Sequence, residues 1–184
     1  MLRKLSKLEL TKIKREFNKW GVFEFFSDRV LLIKDNDYNG NNNDIRGKNE
    51  IYFLSNDLQK IISNIPDPYN AGLSIGILKK TFFPSMPFLF IVTKHSKNFP
   101  NIVINEKAEN LVLYGRDIIG GSILSTSNFT ENALIIILNN KREPIGLGRA
   151  KFSSDHIIQY NKITVENLYD LGFYLREENT EEEF

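Results

Sequence analysis

The second half of the chain holds its apolar residues in short runs, which turn residues interrupt roughly every ten positions. Runs of this length fit the strands of a small barrel better than they fit helices. The run ALIIILN at 133–139 is apolar throughout and predicts a central strand that is buried on both faces. Within the predicted strand IGLGRAKF, Gly146 and Gly148 indicate a sharp bend or the close approach of another group.

The first part of the chain mixes helical and strand patterns. Apolar residues recur every two to four positions between Leu5 and Trp20, which is the pattern of an amphipathic helix. Ser6 followed by Glu9 predicts a capping box at the start of this helix. Gly21 is placed where a glycine commonly ends a helix.

Four further segments are rich in aromatic and β-branched residues and predict strands: 22–35, 50–55, 71–80 and 88–96. The segment 55–67 predicts a short helix that Asn56 or Asp57 caps, and the Asn- and Gly-rich segment 36–50 predicts a long loop. Residues 1–100 are therefore expected to form an α+β domain with an antiparallel sheet, with a domain boundary at its end.

The composition limits the classes of function. The chain has 184 residues, which suits one or two domains, and it has no cysteine, which excludes disulfides, a thiol nucleophile and cysteine-ligated metals. No apolar run approaches the ~20 residues of a membrane span. The N-terminus lacks the apolar core of a secretory signal, so we expect a cytoplasmic protein.

The formal net charge of +1 conceals an uneven distribution. Residues 1–104 carry 16 Lys and Arg against 10 Asp and Glu, whereas residues 105–184 carry 8 against 13. The acidic end, residues 178–184, is expected to be a disordered tail, so any basic surface in this half is local. The first twenty residues hold seven basic and two acidic side chains, which fits either a solvated helix face or one that meets phosphates.

The sequence lacks motifs for catalysis, metal binding and nucleotide cofactors. GLGRAK lacks the third glycine of a dinucleotide-binding fingerprint, and there is no P-loop pattern. His95 and His156 are isolated, so no metal site is expected. Asp117, in YGRDI, has no second converging acid or base, and the sequence therefore predicts neither catalytic residues nor a cofactor.

Three segments taken together resemble a PUA domain, the small RNA-binding barrel named after pseudouridine synthases and archaeosine transglycosylases. They are LVLYGRDIIGGSIL at 111–124, ALIIILNNKREPIGLGRAKF at 133–152 and LYDLGFYLREE at 168–178. Their order matches the short helix, glycine turn, central strand, Pro-Ile-Gly-x-Gly strand and closing strand of that domain. The resemblance covers residues 101–177 and implies a PUA-type β-barrel there.

The N-terminal half extends the resemblance to nearly the whole chain. KNEIYFLSNDLQKIIS and AGLSIGILKKTFFPSMPFLFIVTKHS are similar to the pre-PUA half of a ribosome-assembly factor family. That family acts in maturation of the large ribosomal subunit, in archaea and in the eukaryotic nucleolus. The Asn-rich loop is longer than is usual in the family. Arg149 and Lys151 follow the pattern of archaeal members, since eukaryotic members are more apolar there.

The resemblance implies an RNA-binding surface, because RNA lies against the glycine turn and a neighbouring strand in PUA domains. Gly120 and Gly121 would bring backbone N–H donors close to a ribose or phosphate, and the Ser122 hydroxyl would add a contact. Arg116, on the short helix before the turn, would reach a phosphate or pair with Asp117.

Basic residues on the following strand complete the implied site. Arg149 and Lys151 stand two apart, so their side chains leave the same face of the strand while Ala150 points inward. On an outer face they would form a phosphate-binding pair, and the alternative is a plain solvated face. Lys141 and Arg142, in the turn before this strand, are further candidates for RNA contact.

These observations predict a non-catalytic RNA-binding factor in pre-ribosomal RNA maturation and large-subunit assembly, nucleolar if the source is eukaryotic. The PUA domain would hold single-stranded or structured RNA, and the N-terminal domain would dock other assembly or RNA-processing proteins. Two alternatives stay open: a targeting subunit of a pseudouridine- or archaeosine-type RNA-modification enzyme, and a protein adaptor with a vestigial PUA. No membrane, small-molecule substrate, metal or cofactor is expected.

Overall fold

The computed structural model describes residues 2–34, 49–62, 64–65, 68, 71–159, 161–173 and 176. The chain divides into two compact units, residues 1–96 and 97–184. The predicted long loop lies outside the described residues from 36 to 48, and so does the predicted acidic tail at 178–184.

The N-terminal unit packs helices against one antiparallel sheet. Its elements are β1 (Leu2–Lys4), α1 (Lys7–Lys19), α2 (Phe23–Phe26), β2 (Val30–Lys34), β3 (Glu50–Leu54), α3 (Asn56–Ile62), β4 (Leu73–Leu78), β5 (Phe82–Pro84) and α4 (Met86–His95). The strands pair in the order β1-β2-β3-β4-β5, each antiparallel to its neighbours. The expected α+β class with an antiparallel sheet is confirmed for this half.

The first helix begins and ends where the sequence indicates. The Ser6 hydroxyl accepts a hydrogen bond from the Glu9 backbone at 3.4 Å, and the Glu9 carboxylate accepts one from the Ser6 backbone at 2.7 Å. Arg3 donates two more hydrogen bonds to the same carboxylate, both at 2.8 Å. Gly21 follows the helix with φ +66°, in the left-handed region that glycine adopts without strain.

A cluster of buried aromatic rings changes the structure expected at 22–35. Phe23–Phe26 form the helix α2 instead of a strand, and the strand begins only at Val30. Phe26 is buried and stacks on Phe17, with ring centroids 4.3 Å apart. Packing of this ring decides the local conformation, because tertiary contacts override the strand propensity of aromatic residues.

Residues 88–95 lie in a helix, α4, where the sequence pattern predicts a strand over 88–96. Ser85 has the extended conformation of an N-cap residue, and Pro87 lies in the first turn, where its missing N–H breaks no helical hydrogen bond. Phe88 and Val92, four apart, are both fully buried. Because this run is apolar on most sides of the helix, it shows no clear helical period. Its β-branched and aromatic residues then favour the prediction of a strand.

The remaining N-terminal elements agree with their patterns apart from one cap. The elements β3, α3 and β4 lie within the segments predicted as strand, helix and strand. Ser55 caps α3 in place of Asn56 or Asp57, since its hydroxyl accepts a hydrogen bond from the Leu58 backbone at 3.3 Å.

The C-terminal unit is a nearly closed barrel. Its described elements are β6 (Asn101–Ile104), α5 (Glu106–Leu113), β7 (Ile118–Ile119), β8 (Ile123–Thr126), β9 (Leu134–Leu138), β10 (Pro144–Ala150) and β11 (Ile163–Asp170). The strand order is β7-β11-β10-β9-β6-β8, antiparallel throughout except between β6 and β9. The strand β9 is almost wholly buried, as its apolar run predicts. The expected small β-barrel is confirmed.

The last strand lies earlier than the segment LYDLGFYLRE that the sequence indicates. It ends at Asp170, which is buried and accepts hydrogen bonds from Arg176 at 3.0 and 3.1 Å. Arg176 also donates to the Leu113 carbonyl. Gly172 lies so close to Leu113 that a Cβ on it would overlap the carbonyl oxygen. The chain after Asp170 therefore packs against the end of α5 instead of continuing the strand.

The capping box of α1 makes stability depend on pH. Hydrogen bonds from Arg3, reinforced by Ser6, lower the pKa of Glu9 to about 2 from an ordinary value near 4.5. Because the folded state lowers this pKa, the stabilisation is complete above about pH 4.5 and is lost as the pH falls towards 2. We predict that Glu9→Gln lowers the free energy of unfolding at pH 7 by about 1 kcal/mol. Urea denaturation between pH 7 and pH 2.5 should also show a flatter acid limb than wild type.

The matched control is Glu24→Gln, which removes an exposed carboxylate from α2. It should leave the acid limb of the wild type unchanged. An acid limb for Glu9→Gln that matches the wild type would contradict the role assigned to this carboxylate.

Candidate nucleic-acid interface

Most of the residues implied as an RNA site lie on or directly beside three adjacent strands of the barrel, β7, β11 and β10. Ile119 on β7 lies opposite Ile163 on β11, and Val165 on β11 lies opposite Ala150 on β10. Neighbouring strands are about 4.8 Å apart, so β7 and β10 are separated by only about 10 Å. The end of β7, the start of β11 and the end of β10 are therefore neighbours.

The glycine turn directly follows β7, and Gly120, Gly121 and Ser122 form one 3-10 turn. Gly120 is buried and its N–H donates to the Lys162 carbonyl at 3.2 Å, so the expectation of a free donor there is wrong. Gly121 is exposed, and a Cβ placed on it meets no atom within 4 Å. The left-handed glycine of this region is Gly115, with φ +80°. The backbone of Gly121 is therefore the part of this turn that a ligand can approach.

Arg149 and Lys151 lie on one solvent-facing side, at the end of β10 and just beyond it. Ala150 between them is fully buried, as the alternation predicts. Arg149 stands opposite Glu166, and its Nε is 3.9 Å from a carboxylate oxygen of that half-exposed residue. Such a surface ion pair contributes about 0–1 kcal/mol, which leaves the guanidinium open to a stronger anion. Lys151 forms no ion pair with any residue in the described ranges.

Sequence reasoning missed Lys162, which precedes β11 and lies beside the glycine turn. Its carbonyl accepts the Gly120 N–H, and its Nζ is 4.7 Å from the centroid of the Phe152 ring. The Lys151 N–H donates to the Thr164 carbonyl at 2.8 Å, which ties the end of β10 to the start of β11. The sequence indicates the last strand in the segment LYDLGFYLRE, and Lys162 lies well before that segment. Its position at the start of a strand is recognisable only once β11 is known to begin at Ile163.

Arg116 lies between α5 and β7, and not on the short helix as expected, because the helix ends at Leu113. The Asp117 carboxylate accepts a hydrogen bond from the Asn167 backbone at 2.9 Å, and the Arg116 carbonyl accepts one from the Asn167 side chain at 3.4 Å. The Asp117 carboxylate is therefore hydrogen-bonded to β11. The exposed guanidinium of Arg116 has no hydrogen bond or ion pair within the part of the chain that the structure describes.

Lys141 and Arg142 are exposed but lie at the opposite end of β10 from the other basic residues. That strand has seven residues, so its ends are roughly 20 Å apart at ~3.3 Å per residue. Asn139 organises their turn by accepting the Lys141 N–H at 3.0 Å and donating to Glu109 at 3.2 Å and Glu143 at 2.8 Å. The structure therefore does not bring these two residues into the cluster, and two carboxylates lie beside them.

We call the group formed by Arg149, Lys151, Lys162 and the turn Gly120–Ser122 the β10–β11 surface. Exposed apolar surface adjoins it, because the paired side chains of Ile119 and Ile163 are 43% and 44% exposed. Cations next to uncovered backbone and apolar surface suit a ligand that carries both phosphates and flat or sugar-like faces.

No described feature of either unit indicates a metal centre. Among the described residues, no group of three or more His, Asp or Glu side chains is placed to hold an ion. His95 packs against Phe25 with ring centroids 4.3 Å apart and ring planes tilted by 30°, and His156 is exposed in a turn. No helix in the described ranges has the length and apolarity needed to cross a bilayer.

A nearly closed barrel with a glycine turn after its first helix, in a chain that also has an α+β unit, defines a two-unit PUA-domain protein. Family models identify both halves. The UPF0113 PUA domain matches residues 100–179, and the NIP7/UPF0113 pre-PUA domain matches residues 2–86. The chain belongs to the NIP7/UPF0113 family, which confirms the resemblance seen in the sequence.

Curated relatives come from archaea, as the resemblance implies. A UPF0113 protein of Archaeoglobus fulgidus is 33% identical over 174 residues, covering 94% of this chain and 92% of that protein. A UPF0113 protein of Aeropyrum pernix is 30% identical over 129 residues, covering 69% and 68%.

Solved structures share the fold. A hypothetical protein of Pyrococcus horikoshii superimposes with a TM-score of 0.67 at 16% identity, covering 96% of this chain and 98% of that one. A conserved PUA domain protein of Thermoplasma acidophilum gives 0.64 at 14% identity, covering 97% and 99%.

The glycines of this region should differ in their tolerance of a side chain. A Cβ on Gly148 would lie 2.6 Å from Val165 Cγ1 and 3.1 Å from the Glu166 carbonyl oxygen, whereas Gly121 has open space. We predict that Gly148→Ala lowers the free energy of unfolding by about 1–3 kcal/mol. Gly121→Ala should leave it unchanged. Equal stability losses in thermal denaturation would contradict this assignment.

Proposed function

We propose that this protein is a non-catalytic RNA-binding factor that acts in maturation of pre-ribosomal RNA and assembly of the large ribosomal subunit. Its PUA barrel binds RNA, and its N-terminal unit binds other ribosome-assembly proteins. The support for this role comes from membership of the NIP7/UPF0113 family and from the β10–β11 surface.

One observation carries the RNA-binding part of the proposal. The exposed Arg149 and Lys151 flank a buried alanine on the outer side of β10, next to Lys162 and the uncovered backbone of Gly121. The carboxylate of Glu166 faces Arg149 at 3.9 Å, and Lys151 forms no ion pair with a residue that the structure describes. Cations grouped on one exposed side of a sheet attract a phosphate backbone and release its counterions on binding.

In this proposal, each group of the β10–β11 surface has its own role in RNA binding. The guanidinium of Arg149 binds a phosphate with two hydrogen bonds and gives up its weak contact with Glu166. Lys151 and Lys162 act as point charges on neighbouring phosphates. Gly121 lets a ribose or phosphate approach the backbone, and Ile119 presents apolar surface beside it. Phosphate contacts carry no sequence information, so this surface selects for single-stranded or flexible RNA more than for sequence.

The N-terminal unit supplies the protein-binding part of the proposal. Six of the eleven aromatic side chains that the structure describes in this unit are buried in its core, so these six cannot form a docking patch. Leu8 and Ile61 remain 78% and 58% exposed, and these apolar side chains are candidates for contacts with partner proteins.

We predict that the double variant Arg149→Gln/Lys151→Gln weakens RNA binding and lowers its salt dependence. Each phosphate contact on a single strand contributes about 0.7 to the slope of log K against log salt, so the slope should fall by about 1.4. Fluorescence anisotropy of a labelled 12-nucleotide RNA across a salt series measures it.

The matched control is Lys141→Gln/Arg142→Gln, which removes the same charge from the far end of β10. It should leave the slope nearly unchanged. Equal slopes for the two double variants would show that binding follows net charge and would reject the β10–β11 surface as the site.

A further inference from the structure

The N-terminal unit contains a cleft of about 550 Å³, bounded by the end of β1, one face of α1, α2 and the start of β2. Its floor is apolar and includes Leu10 and Phe23. A volume of several hundred cubic ångströms is typical of sites that hold small ligands or one anchoring group of a larger one. Neither the family resemblance nor the β10–β11 surface accounts for this cleft.

Three cations line the cleft, and none of them forms an ion pair with a residue that the structure describes. Lys4, Lys14 and Arg29 line it, and no carboxylate does among its described lining residues. Neither lysine forms an ion pair with a described residue. The Nε of Arg29 donates to the Phe25 carbonyl at 3.0 Å, and its guanidinium carbon is 4.3 Å from the centroid of the Phe25 ring. The guanidinium is therefore held in place while its terminal nitrogens stay available to an anion.

The cleft also contains an aromatic ring, Phe23, that packs on no other described ring. Phe23 is half-buried and makes no ring contact with a described residue, whereas its neighbours Phe17 and Phe26 stack on each other at 4.3 Å. Gln59, also half-buried at the cleft, has no hydrogen bond on its side-chain amide within the described residues. A ring that stacks on no other described ring and an amide without a described hydrogen bond are groups that can bind a nucleic-acid base.

We propose that this cleft binds one nucleotide of single-stranded RNA, in a second RNA subsite outside the PUA barrel. The base lies against Phe23 with its edge towards Gln59, and the phosphate lies among Lys4, Lys14 and Arg29. This inference rests on the proposed RNA-binding function and adds a contact in the other unit of the chain.

The competing occupant is a peptide that combines acidic and aromatic side chains. RNA fits the cleft better for two reasons. Three uncompensated cations match a ligand that has a phosphate at every residue. The amide of Gln59 offers both a donor and acceptors, which match the polar edge of a base and have no partner on a phenyl ring.

The test uses full-length protein and fluorescence anisotropy with a labelled 12-nucleotide oligouridylate. Phe23→Leu removes the ring but keeps the apolar volume, and Lys14→Gln removes one cation. The matched controls are Phe90→Leu and Lys12→Gln, which change an exposed ring and a lysine outside the cleft. Thermal denaturation of each variant checks that the fold is intact. Each variant is measured alone and together with Arg149→Gln/Lys151→Gln.

We expect Phe23→Leu to weaken binding about tenfold, since one stacked base accounts for a loss of this order. Lys14→Gln should lower the salt slope by about 0.7, and the two controls should match wild type. The same losses should appear in the Arg149→Gln/Lys151→Gln background, because the two subsites are separate contacts.

Three other results would overturn the inference. If the cleft variants bind like wild type while Arg149→Gln/Lys151→Gln is impaired, the cleft plays no part and the proposed function stands. If wild type binds no RNA, the proposed function fails together with the inference. If a labelled peptide of alternating Glu and Phe binds in a Phe23- and Lys14-dependent manner while the RNA signal ignores both residues, the cleft is a peptide site.

Discussion

The pairing of β11 with β10 on one side and β7 on the other is the interaction on which the candidate site depends. Gly148 lies opposite Asn167 at a break in register, and Val165 lies so close to Gly148 that no Cβ fits there. Asn167 in turn binds Asp117 and fixes the approach to β7. This three-strand arrangement brings together basic residues and a turn that are about 30 to 40 positions apart in sequence.

The two units place positive charge locally in a protein whose net charge is only +1. In the barrel, the cations of the β10–β11 surface adjoin the uncovered backbone of Gly121. In the N-terminal unit, the cations of the cleft line it together with Phe23, a ring that stacks on no other described ring. Local fields of this kind attract a phosphate chain at short range, even though the small net charge of the whole protein attracts it little. Both surfaces therefore predict binding that weakens steeply with salt.

Much of the fold followed from local sequence signals, and the errors have physical causes. The capping box at Ser6 and Glu9 and the apolar run of β9 are local signals, so they were predictable. The helix α4 was not, because burial on most sides removes the helical period. Lys162 was missed for another reason: its proximity to the glycine turn arises from strand pairing, and pairing partners cannot be read from one sequence. The separation of Lys141 from Arg149 has a different origin, because the seven-residue strand β10 lies between them.

Photo-cross-linking of full-length protein to RNA that contains 4-thiouridine tests the central claim most directly, with the cross-linked peptides mapped by mass spectrometry. The account predicts cross-links in peptides that contain Gly120–Ser122 and in peptides that contain residues 149–163, and their loss at high salt. Cross-links confined to peptides of the Lys141–Glu143 turn or of α5, with none at the β10–β11 surface, would contradict it.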